Sequence, residues 1–152
     1  MKRKLLLAGV ALVLGSGATA IALAQAKPEV LVKQRQAAMT LQGKYFAPLG
    51  AMAQGKAPFD AAVVARNAGY LEALSKMPWD GFAPSTASAK SNALPAVFKD
   101  PAGFKQAQER LQSEVTKLAA AAKGGDEGAI KPAIGAVGKA CAGCHEDFRQ
   151  KD

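Results

Sequence analysis

The sequence predicts an all-α protein whose helices pack as a bundle, and three observations carry that prediction. Alanine supplies much of the 49% apolar share while aromatics reach only 6%; alanine favours helix, and its small side chain lets helices approach closely. The β-branched residues are scattered and do not gather into alternating runs, so a sheet has little to build on. Four segments repeat their apolar residues at spacings of three and four, which puts one buried stripe on each helix. A length of 152 residues favours one domain.

The N-terminus reads as a leader outside the fold. Lys2, Arg3 and Lys4 precede an apolar run from Leu5 to Leu14, and small residues follow up to Ala22-Leu23-Ala24. This is the layout of a secretory signal peptide, expected to span 1–24 and to be removed, with Ala24-Gln25-Ala26 offering a second cut. An uncleaved anchor needs about 20 apolar residues, and Gly15, Ser16, Gly17 and Thr19 interrupt the stretch. The expectation is a periplasmic protein of residues 25–152, without stable membrane insertion. Removing the leader takes three cations and no anions, so the net charge falls from +8 to +5. The remaining cations are spread along the helices, with no Arg/Lys block interleaved with aromatics. That speaks against nucleic-acid binding and supports at most a mild attraction to acidic redox partner proteins.

In the first helix Val32, Arg35, Met39, Gln42, Phe46 and Leu49 form the stripe, with Leu31, Ala38 and Leu41 beside it. Pro28 and Glu29 suit its first turn, and Pro48 is expected to kink or end it. The second helix starts from Asp60 as N-cap, buries Val64, Ala68, Leu71 and Leu74, and is expected to end at Pro78. Residues 78–99 hold Pro78, Gly81, Pro84 and Pro95 with several serines and read as a long loop. Asp100-Pro101 is an N-cap followed by proline at the first helical position. Phe104, Ala107, Leu111, Val115, Leu118 and Ala122 then share a stripe, and Gly124-Gly125 stops the helix. Asp126-Glu127 opens the last helix, whose stripe is Ile130, Ile134, Val137, Cys141, Cys144 and Phe148. Pro132 is expected to delay its regular start. Four such helices bury their stripes by packing together. An up-down-up-down order follows if the connections allow it, with a crossover as the alternative.

The chain's two cysteines stand in Cys141-Ala142-Gly143-Cys144-His145. On a helix, residues three apart share a face, so two thiols so placed can each add to a vinyl group on one edge of a porphyrin. His145 then projects its imidazole towards the iron. This C-x-x-C-H motif reads as covalent attachment of one haem c. A thioredoxin-type disulfide is the bland alternative, but such a motif normally opens a helix after a strand, where the thiol pKa is lowered. Here it lies near the end of the last helix. A zinc site needs four ligands, and His145 is the only histidine.

A single histidine rules out bis-histidine ligation within one chain. Met39, Met52 and Met77 remain after export, and Met39 lies on the first stripe. Its sulfur either ligates the iron and raises the potential or fills space above an open iron position; spacing does not separate the two. Arg35 stands one turn before Met39 on the same stripe. A buried guanidinium needs a partner, which a haem propionate would supply; otherwise Arg35 is a surface cation reaching solvent. Trp79 and Phe82 line the haem from the loop or belong to the core.

These residues resemble the class II cytochromes c, and within them the cytochrome c′ family. The resemblance rests on Gly138 to Arg149 around the attachment motif, on Arg35-Gln36-Ala37-Ala38-Met39-Thr40-Leu41, and on Gln54-Gly55-Lys56-Ala57-Pro58-Phe59-Asp60-Ala61. Leu74 to Trp79 and Phe104-Lys105 are also similar. It covers essentially the whole mature chain. It implies an antiparallel four-helix bundle with haem between the helices, and commonly a homodimer. It also implies a five-coordinate, high-spin iron with an apolar residue over its distal face, a position that Met39 matches. Nitric oxide and carbon monoxide, small gaseous ligands, are then expected to bind. Gln36 matches a haem-contacting position, and Arg149, four residues after His145, matches an arginine that shapes proximal polarity. Related low-spin members of the cytochrome c-556 type use a first-helix methionine as sixth ligand, so the alternative is a pure electron carrier with Met39 bound. A haem enzyme such as a peroxidase would want a distal acid/base; there is no second histidine, and the expectation is that the protein is not an enzyme.

Overall fold

The computed structural model describes residues 26–151, so the leader read over 1–24 lies outside the described residues. Four long helices make the bundle: α1 (Pro28–Ala53), α2 (Ala61–Leu74), α4 (Pro101–Gly124) and α5 (Glu127–Phe148). Between α2 and α4 run two 3₁₀ turns, Trp79–Phe82 and Pro84–Thr86, and the one-turn helix α3 (Ala96–Lys99). The predicted long loop is therefore partly structured. Helix α1 packs on α2, α2 on α4, α4 on α5 and α5 back on α1. The fold is an antiparallel four-helix bundle. Among the described residues the one β-type pairing is an isolated bridge between Ala93 and Arg149.

The start signals act as expected. The Asp60 carboxylate accepts from the amides of Ala62 and Val63, Asp100 from Gly103 and Asp126 from Gly128. Each satisfies donors that the first turn of a helix leaves without partners. Gly125 caps α4 at φ 71°, a left-handed conformation that costs glycine nothing. Helix α2 stops at Leu74, four residues before Pro78, where the chain turns through Ser75.

Neither Pro48 nor Pro132 interrupts its helix as an element boundary. Pro48 lies inside α1, which continues to Ala53, and Pro132 lies inside α5, which is regular from Glu127 onward. Each proline deprives one carbonyl, four residues earlier, of its helical donor. Those carbonyls belong to Lys44 and Gly128, and all four residues are exposed, where a lost helical bond costs less than it would in a core.

The fully buried core joins Leu49 of α1, Val64, Ala68 and Leu71 of α2, Leu118 of α4, and Ile130, Ile134 and Val137 of α5. These residues come from the end of the bundle where α1 finishes and α5 begins. The other end, where α1 and α4 begin and α2 and α5 finish, is left for the site.

Candidate functional site

At that second end lies a cavity of about 570 Å³, within the range of roughly 300–1,000 Å³ that small-molecule and cofactor sites occupy. Helix α1 contributes Arg35, Gln36, Met39 and Thr40, and α5 with its C-cap contributes Cys144, His145, Phe148 and Arg149. Phe82, Phe104 and the segment Ser91-Asn92-Ala93 complete the wall. Of the residues singled out from sequence, Arg35, Gln36, Met39, Cys144, His145 and Arg149 are thus brought together. Cys141 stays outside the wall, half-buried against the core. Phe82 lines the cavity; Trp79 does not, and instead packs on the core while its indole N–H donates to Ser75 O at 2.6 Å.

Arg35 is the buried charge of the site, only 3% exposed. Its Nη1 donates to Gly81 O at 2.6 Å and to Thr86 Oγ1 at 3.1 Å, its Nη2 to Ser91 Oγ at 2.8 Å, and its guanidinium lies 4.3 Å from the Phe82 ring centre. All these partners are neutral, and among the described residues no carboxylate pairs with it. Burial pushes its pKa down, yet a guanidinium remains charged. The loop reaches it because Gly81 has no side chain: a Cβ there would stand 2.6 Å from Arg35 Cβ and 2.7 Å from Leu31 O. Thr86, itself 1% exposed, anchors its hydroxyl by donating to Ala83 O at 2.7 Å.

Both cysteines are free thiols. Burial raises the Cys141 thiol; burial, with Cys141 and Asp147 adding to it, pushes Cys144 up to about 11. A dithiol redox centre needs the opposite shift, so the disulfide alternative loses ground here. Desolvation, and then the charge of Arg149, hold His145 below its ordinary value, so near neutral pH the imidazole keeps a free lone pair for a metal. Among the described residues no cluster of three or more His, Cys, Asp or Glu side chains suits a metal ion. Beside the cavity the chain pairs with itself: Leu94 N–H donates to Phe148 O at 2.9 Å and Gln150 N–H to Asn92 O at 2.8 Å. That ties the loop to the end of α5. Asn92, Ser91 and Thr86 were not singled out from sequence, because a loop has no periodicity to mark inward residues.

The donor set fits a haem. Met39, Phe82, Phe104 and Phe148 offer apolar surface to a macrocycle, Arg35 offers a buried cation lacking an anion, and Cys144 and His145 supply sulfur and nitrogen at one wall. Known proteins point the same way. The cytochrome c′ family model matches residues 30–149. Cytochrome c′ of Rubrivivax gelatinosus is 47% identical over 126 residues, covering 82% of this chain and 98% of the relative. Its crystal structure superposes with a TM-score of 0.79 at 46% identity, again over 82% of this chain and 98% of that one. A nitric oxide complex of a cytochrome c prime variant from Alcaligenes xylosoxidans gives a TM-score of 0.77 at 41% identity, covering 83% and 98% of the two chains. A carbon monoxide-bound variant of the same protein gives 0.77 at 41%, with the same coverage. With this much of its length matched in sequence and in fold, the chain belongs to the cytochrome c′ family and is a c-type haem protein whose cofactor is covalently held haem c.

Proposed function

We propose that this chain is a periplasmic electron carrier that also takes up nitric oxide and carbon monoxide at a five-coordinate haem iron, and that it is not an enzyme. The observation that carries the reading is one cavity bordered by the chain's sole imidazole and by Cys144, facing a stretch of α1 that offers no second imidazole. Cys144 and Cys141, three residues apart on α5, hold the ring through thioethers. His145 is the iron's protein ligand. Arg35, with Gln36 beside it at the cavity wall, meets the propionates in a charge-assisted pair. Arg149, whose charge already acts on His145, sets the polarity on the imidazole's side. When bound, the haem supplies one-electron redox chemistry and a face for diatomic ligands. Met39 covers the distal side as an apolar residue.

Residues 1–24 direct export to the periplasm in this reading. Among the described residues, no helix is long and apolar enough to cross a membrane. A homodimer is supported by exposed apolar side chains, Val30 and Leu41 on α1 and Tyr70 on α2, which a second copy would cover.

The alternative is a low-spin carrier of the cytochrome c-556 type with Met39 as sixth ligand; the presence of Met39 in the cavity wall favours keeping it. An optical spectrum separates the two. A broad high-spin Soret band that shifts with carbon monoxide is expected. A sharp reduced α-band with a bound-methionine charge-transfer absorption contradicts the open site. Met39→Leu tests it from the other side: a switch from low to high spin overturns five-coordination.

A further inference from the structure

Gln42 is the polar residue on the α1 stripe that the haem reading leaves without a role. It is buried, 9% exposed, and it is absent from the cavity wall. Its side-chain amide nitrogen donates to Leu74 O, near the end of α2, at 3.3 Å and to Met39 Sδ at 3.8 Å. Both neighbours are acceptors only, which fixes the amide orientation: the nitrogen, with two hydrogens for two acceptors, must face them. The Leu74 carbonyl is itself held in place by Met77 N–H at 3.1 Å, so α2 anchors the amide and the amide anchors the sulfur. Met39 therefore borders the cavity while its sulfur is engaged by a residue outside the cavity wall.

We propose that Gln42 is the positioning residue that decides the coordination of the iron: by holding the Met39 thioether against the α2 side, it keeps the distal position open for diatomic ligands. The inference rests on the reading of the cavity as the haem site with a five-coordinate iron. A thioether is a weak acceptor and a flexible side chain, so a single donor suffices to bias where it rests, and loss of that donor releases it towards the iron.

The test compares the haem-loaded parent with Gln42→Leu, which removes both donors at similar volume. The parent is expected to be high-spin. Gln42→Leu is expected to gain a low-spin fraction with a bound-methionine charge-transfer absorption. Its dissociation constant for carbon monoxide should rise with that fraction, about twofold or more once half of the iron is methionine-bound. The double variant Gln42→Leu/Met39→Leu is expected to return to high spin, which identifies the sulfur as the ligand gained. If Gln42→Leu fails to load haem, Gln42→Asn replaces it, since its amide falls one methylene short of the sulfur and is expected to shift the spectrum the same way. A high-spin parent whose Gln42 variant stays high-spin, with carbon monoxide affinity changed by less than about twofold, overturns the role of Gln42 alone. A double variant that remains low-spin overturns it as well. A parent that is already low-spin, and turns high-spin on Met39→Leu, removes the open-site reading itself, and the inference goes with it.

Discussion

Arg35 shows how far one side chain can be read before its surroundings are known. A cation on an apolar stripe was legible as a buried charge in need of a partner, and it is 3% exposed. What holds it was not legible: Gly81, Thr86 and Ser91 lie 46, 51 and 56 residues away in a loop, and only the fold brings them near. Thr86→Val keeps the shape but strips the acceptor from a buried guanidinium N–H. Because the donor is charged, urea unfolding is expected to show a loss of about 1.5–3 kcal/mol, with Thr86→Ser restoring most of it. A Thr86→Val variant as stable as the parent would mean the hydroxyl is idle. The thiols give a second prediction. With Cys144 pushed up to about 11 from 9.0, its thiolate near pH 8 is about a hundredfold scarcer than that of an ordinary cysteine. Iodoacetamide should therefore label Cys144 in the folded haem-free chain correspondingly slowly, with the rate rising until about pH 11. The linked stability runs the same way: the unfolded thiol ionises from about pH 9 while the folded one does not, so the haem-free fold weakens as pH rises between those values. Labelling as fast as in the unfolded chain would contradict the burial.

Among the elements, the helix starts were legible because their signals are local. Asp60, Asp100 and Asp126 each stand directly before a periodic stripe, and each carboxylate accepts from first-turn amides. Asp100→Ala is expected to cost about 1 kcal/mol in thermal or urea unfolding, with the haem spectrum unchanged; an unchanged stability would show that Pro101 alone starts α4. The helices that run on past their prolines have the complementary cause. Whether Pro48 or Pro132 breaks a helix depends on where the orphaned carbonyl points, and both carbonyls belong to exposed residues, a property of the assembled bundle that no local pattern contains. The 3₁₀ turns and α3 escaped for lack of length: elements of three or four residues have no stripe to repeat.

For the whole molecule, the division into a packed end and an open end explains why the fold and the cofactor can be probed separately. Leu118 is 0% exposed in the packed end and absent from the cavity wall. Leu118→Ala is expected to lower unfolding free energy by about 2–5 kcal/mol while leaving the optical spectrum of the loaded protein in place; a changed spectrum with unchanged stability would contradict this division. The bundle itself was legible from the four stripes, and the attachment motif from five consecutive residues. The position of the cavity was not, because it depends on which helix ends meet. The most direct measurement is the intact mass of the exported, purified chain together with alkylation of its cysteines. One haem of added mass, with neither Cys141 nor Cys144 open to alkylation even after reduction, is the expected result. A chain at its bare polypeptide mass, with both sulfurs alkylated once reductant is added, would contradict it.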